Sequence, residues 1–461
     1  MKIGSPFSMT LDLIFFVLLS NIIATPLQID GIVVHAQNNN STVSREMEIP
    51  GALFAHNAGN PIVNDSKLKV QIVFKGLHLP TTMAFLGQDD LLVLEKAKGT
   101  VDRIVNGNLL AKPVLKVEVA SEVERGMLGI AISKNKNADN HRYVFLYFTE
   151  KIGNESNLNT VNDARHGGQS LVANRVYRYE FANDSLVNPK LLLDLPATPG
   201  PRHNAGAIII GPDNNLYVPI GDIDGHNSQA QNVEEAGSPD GTGGILRITQ
   251  DGKPVGNGII GESSPANKYF AYGIRNSFGL DFDPITGKLW DTENGPSYGD
   301  EVNLVEPGFN SGWLQVQGKA PLDFDYSKLV DFDGKGKYRD PEFSWFNTVG
   351  PTKILFLNSV NLGKQFQNDI FVSNVHNGSI YHFKLNKDRT GLALNGALVD
   401  KVADTNQETK GITFGSNFGG ISDLVVGPDG YLYVVSLGRG IIYRIVPVTA
   451  TTTTIQAPIH Q

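Results

Sequence analysis

The 461-residue chain contains no cysteine. That excludes a disulfide framework, thiolate catalysis and cysteine-ligated zinc. It does not fix the compartment, because a large core needs no covalent staples. Charge is also sparse: 19% of residues are Asp, Glu, Lys or Arg, and the formal net charge is -8. A net-negative chain is a poor match for a nucleic-acid backbone. Also missing are a glycine-rich phosphate loop, a nucleophile elbow and a His-Glu-x-x-His helix, which removes kinase, α/β-hydrolase and zincin chemistry. Past the N-terminal segment, no stretch has the apolar period of a long amphipathic helix.

What is present is turns, with 49 glycines. The segment Gly211-Pro212-Asp213-Asn214-Asn215-Leu216-Tyr217-Val218 returns as Gly427-Pro428-Asp429-Gly430-Tyr431-Leu432-Tyr433-Val434. Each copy follows an apolar run, Ala207–Ile210 or Leu424–Val426, and leads into a second one. Proline sets φ in such a turn, Asp bonds its own backbone, and Leu-Tyr-Val favours strand. Looser copies lie at 83–94, 128–148, 279–290 and 354–372, giving about six units once long loops are allowed. Most units continue into a strand of period-two alternation, such as Thr100–Ile104, Arg175–Tyr179, Gly244–Ile248 and Ile441–Ile445. Alternation of that kind marks half-buried antiparallel strands. The expected fold is all-β, a six-bladed β-propeller, in preference to a parallel solenoid of shorter and more even period.

The ends read differently. Lys2 precedes an apolar stretch from Leu11 to Ala24, and Val34-His35-Ala36 offers a small-residue cleavage site. Residues 1–36 are therefore expected to be a signal peptide or N-terminal anchor, with membrane tethering as the alternative to cleavage. Residues 37–66 are expected to be a flexible leader, 67–447 the propeller, and 448–461 a disordered low-complexity tail. Sequons at Asn40, Asn64, Asn154, Asn183 and Asn377 fit a secreted or cell-surface protein.

Three loops carry the chemistry that the sequence offers. Pro201-Arg202-His203-Asn204-Ala205-Gly206 enters an inner strand, where a histidine can take a proton near neutral pH or simply make a structural hydrogen bond. Tyr272-Gly273-Ile274-Arg275-Asn276 enters another, and Arg275 offers a planar donor fork for carboxylate or quinone oxygens, or a tie between blades. The stretch Asp291 to Asn303 holds several carboxylates around Gly295-Pro296. Its oxygens suit Ca²⁺, or equally a turn capped by its own side chains. Long insertions at 151–172 and 318–350 can wall a cleft. The acidic loop Gly221-Asp222-Ile223-Asp224-Gly225-His226 can line the same mouth or be a solvated turn.

Taken in order, these stretches resemble the glucose/sorbosone dehydrogenase family of soluble quinoprotein sugar dehydrogenases. The resemblance is carried by Arg125–Ala131, His203–Gly206 with Gly211-Pro212-Asp213 and Gly221-Asp222, Tyr272–Asn276, Glu293–Pro296 with Asp300–Asn303, Gly308–Trp313 and Ser422-Asp423. It runs from about Val70 to Val446. The resemblance implies pyrroloquinoline quinone over the central channel and Ca²⁺ beneath it, with His203 as catalytic base and Arg275 and Asn276 on the cofactor's oxygens. It also implies that Gly295 and Pro296 bind the calcium through their carbonyls. Glu124 stands where relatives have a glutamine and His376 where they have a lysine, so both are expected at the cofactor. Two further arginines of the family are replaced within Gly419-Gly420-Ile421-Ser422-Asp423. The implied activity is oxidation of aldose sugars or related alcohols by hydride transfer to the quinone, with an external electron acceptor, in a monomer or homodimer. Two alternatives are a Ca²⁺-dependent lactonase-like hydrolase and a non-catalytic propeller that binds glycans or proteins.

Overall fold

The computed structural model of the protein describes residues 59–136, 142–153 and 171–449. The expectations for the signal or anchor segment, for most of the leader and the tail, and for most of the 151–172 insertion lie outside those residues.

Local chemistry builds the repeated hairpins identically. Gly211 N–H donates to Asn215 O at 2.8 Å, and Gly427 N–H donates to Tyr431 O at 2.9 Å. Asp213 and Asp429 each accept the backbone N–H two residues on, both at 3.1 Å. Each also accepts the hydroxyl of the tyrosine four residues on, Tyr217 at 3.0 Å and Tyr433 at 2.8 Å. The aspartate closes the turn and the tyrosine fixes the register of the following strand.

The described strands form six sheets, each a meander around four principal antiparallel strands. The first is Pro80–Gly87, Asp90–Glu95, Thr100–Val105 and Asn108–Leu109. The second is Met127–Lys136, Arg142–Lys151, Val172–Ala182 and Ser185–Leu195. The third runs through Ile209–Ile210, Leu216–Ile220, Gly244–Ile248 and Tyr269–Tyr272, and the fourth through Ser277–Phe282, Leu289–Glu293, Asp300–Val305 and Phe343–Trp345. The fifth comprises Pro351–Phe356, Ile370–Asn374, Ile380–Phe383 and Thr413–Ser416. The sixth draws Ile421–Val426, Leu432–Ser436 and Ile441–Pro447 from one end of the chain and Leu68–Lys75 from the other. Successive sheets touch near their first strands, and Ile421–Val426 touches Pro80–Gly87 to complete the circuit. The fold is an all-β propeller, and no α-helix occurs among the described residues, only short 3₁₀ turns.

The core follows from this arrangement. Six apolar clusters form, and each is shared between two adjacent sheets. Trp290 and Trp345, both fully buried, join the fourth and fifth sheets. Trp345 meets Phe343 edge-on at 4.8 Å and Tyr381 at 5.2 Å. Aromatic pairs of this kind add about 0.5–1.5 kcal/mol each beyond their burial.

Residues 59–66, part of the expected leader, are tied down in part. Ile62 and Val63 pair with Ser416 and Gly415 at the edge of the fifth sheet, and Asn64 N–H donates to Phe414 O at 2.8 Å.

Inner strands pack closely where they line the channel. A Cβ on Gly279 would stand 2.6 Å from both Thr352 O and Ile354 N and 2.5 Å from Thr292 Oγ1. Those backbone atoms belong to the next sheet and cannot swing away. Gly279→Ala should therefore cost about 1–3 kcal/mol by overpacking, read as a lower midpoint in chemical denaturation with an unchanged m-value. An unaltered midpoint would contradict this packing.

Candidate active site at the channel mouth

The loop carrying His203 is held from below by the second sheet. Tyr147 donates its hydroxyl to Asn204 O at 2.7 Å. Asn174 donates its amide to Pro196 O and to Asn204 Oδ1, both at 2.9 Å. With these anchors His203 and Ala205 adopt left-handed backbone, φ 59° and 55°. Such conformations are unfavourable for residues with a Cβ and persist where surrounding contacts enforce them.

The His203 ring is oriented by a buried carboxylate. Nδ1 lies 2.5 Å from Asp222 Oδ1, and the other oxygen of Asp222 accepts Trp313 Nε1–H at 2.9 Å. The backbone N–H of His203 donates to Glu124 Oε2 at 2.5 Å. Gly221, just before Asp222, could not be another residue, since a Cβ there would stand 2.5 Å from His203 O and 2.3 Å from Arg275 O. Burial pushes the Glu124 carboxyl up from its ordinary range, opposed by His203 and by the hydrogen bonds it accepts.

Arg275 and Asn276 enter from the fourth sheet. The guanidinium of Arg275 lies over the Trp313 ring at 5.4 Å and donates to Asn294 O at 2.8 Å and Gly295 O at 3.0 Å. Burial lowers its pKa, and nearby carboxylates, Asp222 first, oppose the shift. Asn276 Nδ2 approaches Glu124 at 3.2 Å. Arg275 Nε and Asn276 Oδ1 are both buried without a hydrogen-bond partner. The loop 294–296 is positioned by Asp300, whose Oδ1 accepts Gly295 N–H at 2.8 Å while Oδ2 accepts Val349 and Gly350 N–H at 2.6 and 2.9 Å.

All seven residues expected at the site, Glu124, His203, Arg275, Asn276, Gly295, Pro296 and His376, line one cavity of about 890 Å³. That volume lies within the range of cofactor and small-ligand sites. His226 points elsewhere and pairs with Asp240 at 2.5 Å. In the sequence Asp222 stands out only as part of an acidic loop, and nothing there marks Trp313 as its partner. Lys96 and Lys353, outside the sequence motifs, also line the cavity. For Lys353 a signal existed: it is the one charged residue in the inner strand Pro351–Phe356.

The carboxylates after Leu289 differ from the expected loop cluster. Asp291 and Glu293 lie in one strand and Glu301 in the next, all buried. Ser311 Oγ lies 2.7 Å from Glu293 Oε2 and 3.1 Å from Glu301 Oε2, and Glu301 also accepts Asn303 Nδ2–H and Gly318 N–H. No hydrogen bond within 3.5 Å reaches either oxygen of Asp291, although Asn303 and Ser277 stand near enough to act on it. Among the described residues no group of three or more carboxylates or imidazoles is placed to hold a metal ion.

Comparison with known proteins assigns the family. The family model for Glucose / Sorbosone dehydrogenase matches residues 77–444. The chain belongs to the glucose/sorbosone dehydrogenase family. Quinoprotein glucose dehydrogenase B of Acinetobacter calcoaceticus is 28% identical over 271 residues, 54% of this chain and 52% of that protein. Aldose sugar dehydrogenase YliI of Escherichia coli K12 is 24% identical over 375 residues, 80% of this chain and 90% of that one. The PQQ-bound structure of an aldose sugar dehydrogenase from Streptomyces coelicolor superposes with a TM-score of 0.58 at 23% identity, covering 83% of this chain and 99% of that one. At that identity the likeness speaks for the shared propeller fold. As a family member, the chain has its expected site residues gathered at the channel mouth on loops the propeller makes rigid.

The buried acids give a pH signature. Burial raises Asp291 and Glu301 well above the carboxylate range, the charge of Glu293 adding to both, and burial pushes Glu293 up to about 7. The folded state therefore holds protons that the unfolded chain releases above about pH 4.5. This contribution to stability is complete below that pH and is eroded as pH rises above it, the part due to Glu293 being gone once pH passes about 7. Asp291→Asn should flatten the loss, so that its stability relative to the wild type grows from pH 5 to pH 8. Denaturant midpoints across that range test it; equal shifts at both pH values would count against it.

Proposed function

We propose that this protein is an exported quinoprotein dehydrogenase that oxidises aldose sugars or related alcohols. The observation that carries the reading is the Asp222–His203 pair opening onto the same cavity as Arg275 and Asn276. The relatives named as quinoprotein and PQQ-bound support the choice of cofactor. The residues present fit such a group: buried Arg275 Nε and Asn276 Oδ1 have no partner of their own, and the cavity is large enough for a tricyclic ligand. The six sheets correspond to six blades spanning 67–447, with export through residues 1–36.

Pyrroloquinoline quinone, when bound, supplies an o-quinone that accepts a hydride. The chain's own contribution is proton handling and orientation. Because Nδ1 of His203 is held by Asp222, Nε2 is the nitrogen left to take the substrate hydroxyl proton. Trp313 holds Asp222 in turn, so the imidazole stays oriented as its charge changes. Arg275 and Asn276 are the residues that would grip the cofactor's oxygens, while Glu124 ties the His203 backbone to Asn276.

Calcium fits less well as a site made by protein alone. The Gly295 carbonyl accepts Arg275, and Ca²⁺ takes six to eight oxygens. Ca²⁺ in this reading is an accessory ion whose need is to be measured. The hydrolase alternative, which depends on a protein-held cation, ranks lower for the same reason.

Purified protein freed of cofactor should gain sugar-dependent dye reduction on adding the quinone, with and without Ca²⁺ as separate arms. Full turnover in quinone-free protein kept in chelator would sink the reading. His203→Ala should lower kcat by about 10²–10⁴ with the melting transition preserved, and Asp222→Asn should lower kcat more than it alters KM. Wild-type rates in both variants would move the base elsewhere.

A further inference from the structure

Three wholly or partly buried cations line the cavity without touching a carboxylate. Lys96, just beyond the strand Asp90–Glu95, is buried and donates its ammonium to Ser121 O at 2.8 Å. Arg275 donates to the carbonyls of Asn294 and Gly295. Lys353, in the inner strand of the fifth sheet, donates to Leu280 O at 3.2 Å. None of the three forms an ion pair within 4.0 Å among the described residues. Elsewhere the pattern is the reverse: Arg103, Arg175, Arg389 and Arg444 each lie against a carboxylate at 2.7–2.9 Å.

Carboxylates do stand further off. Glu124 and Glu122 act on Lys96 at longer range, Asp222, Glu124, Glu293 and Asp300 act on Arg275, and Lys353 acts on Asp281 and Asp423. Those two aspartates are engaged by other donors. Asp281 accepts Phe356 N–H at 2.7 Å and Phe282 N–H at 2.9 Å, and Asp423 accepts the Thr82 hydroxyl at 2.6 Å. They fasten strands together and leave the ammonium of Lys353 with donors to spare. Cations withdrawn from water are costly unless paired, so a set whose direct hydrogen bonds all go to carbonyls suits a ligand that brings its own anionic groups.

The geometry points to Lys96, Arg275 and Lys353 as a three-point receptor for the carboxylates of a planar tricarboxylate, and this rests on the quinone reading. The receptor explains how the chain dispenses with cations at 376 and 420–422. Gly420 has φ 67°, which disfavours any side chain, and Ser422 Oγ is tied to Pro80 O at 2.8 Å. The positive charge sits instead on the walls of the first and fifth sheets, and on the loop into the fourth.

The test is equilibrium titration of cofactor-free protein, without substrate, followed by tryptophan fluorescence. The ligands are pyrroloquinoline quinone and 1,10-phenanthroline-5,6-dione, an o-quinone with no carboxylate. Lys96→Met and Lys353→Met should each weaken the tricarboxylate by about tenfold to a hundredfold, the range of a charge-assisted hydrogen bond, and leave the dione unchanged. Lys353→Arg should retain most of the affinity. Should Lys353→Met fail to fold, Lys353→Arg and the salt dependence of the wild type still decide, since added KCl should weaken the tricarboxylate and not the dione. Unchanged tricarboxylate affinity in both methionine variants would overturn the receptor and leave the quinone reading standing. Equal losses for both ligands would also overturn it, by showing that the lysines shape the cavity. Absence of quinone binding to the wild type would overturn the reading and the receptor together.

Discussion

The propeller depends on one pairing between segments far apart in sequence. Leu68–Lys75 lies antiparallel to Ile441–Pro447, so the sixth sheet exists only when both ends of the described domain have arrived. Without it the apolar clusters that flank the sixth sheet would each lose a wall. Loop-closure entropy for so distant a contact grows only slowly with separation, whereas the buried surface it completes is large. Because every cluster is shared between neighbouring sheets, closure makes the domain one cooperative body, and the channel mouth inherits its rigidity from that ring.

Much of the fold was legible because its signals are local. A Gly-Pro-Asp turn sets its own dihedrals and its own hydrogen bonds, so Asp213 and Asp429 reveal their hairpins without knowledge of the rest. The additional pairings were not legible. Phe309–Asn310 and Val402–Ala403 add in parallel to sheets formed earlier in the chain, and two-residue strands have no periodicity to read. The tethering of Ile62 and Val63 was hidden likewise, in a stretch that composition alone marks as leader.

At the site, the residues that sequence named were those carried by dense motifs at loop entrances. The contacts between such residues, by contrast, are invisible in the sequence because they span long separations. Trp313 reaches Asp222 across 91 positions and Asn276 reaches Glu124 across 152, separations at which spacing carries no information. The carboxylates near Gly295 show the opposite failure. Acidic residues crowded in sequence suggest a shared ion, but alternation along two strands buries them, and Ser311 joins Glu293 and Glu301 by hydrogen bonds. Asp300 alone of that group serves the loop, by holding the Gly295 N–H.

The outer rim of each sheet has a consequence for how these molecules behave in company. A closed ring of blades still leaves outermost strands, whose free backbone groups invite pairing with another copy. Here the invitation is withdrawn by several means. The long outer strand Ser185–Leu195 carries Pro189, which has no N–H to offer, beside Lys190. The third, fourth and fifth sheets end instead in two-residue strands, Lys337–Tyr338, Val402–Ala403 and Ile62–Val63, too short to template an eleventh-hour neighbour. On these sheets a neighbouring copy finds little continuous backbone to extend.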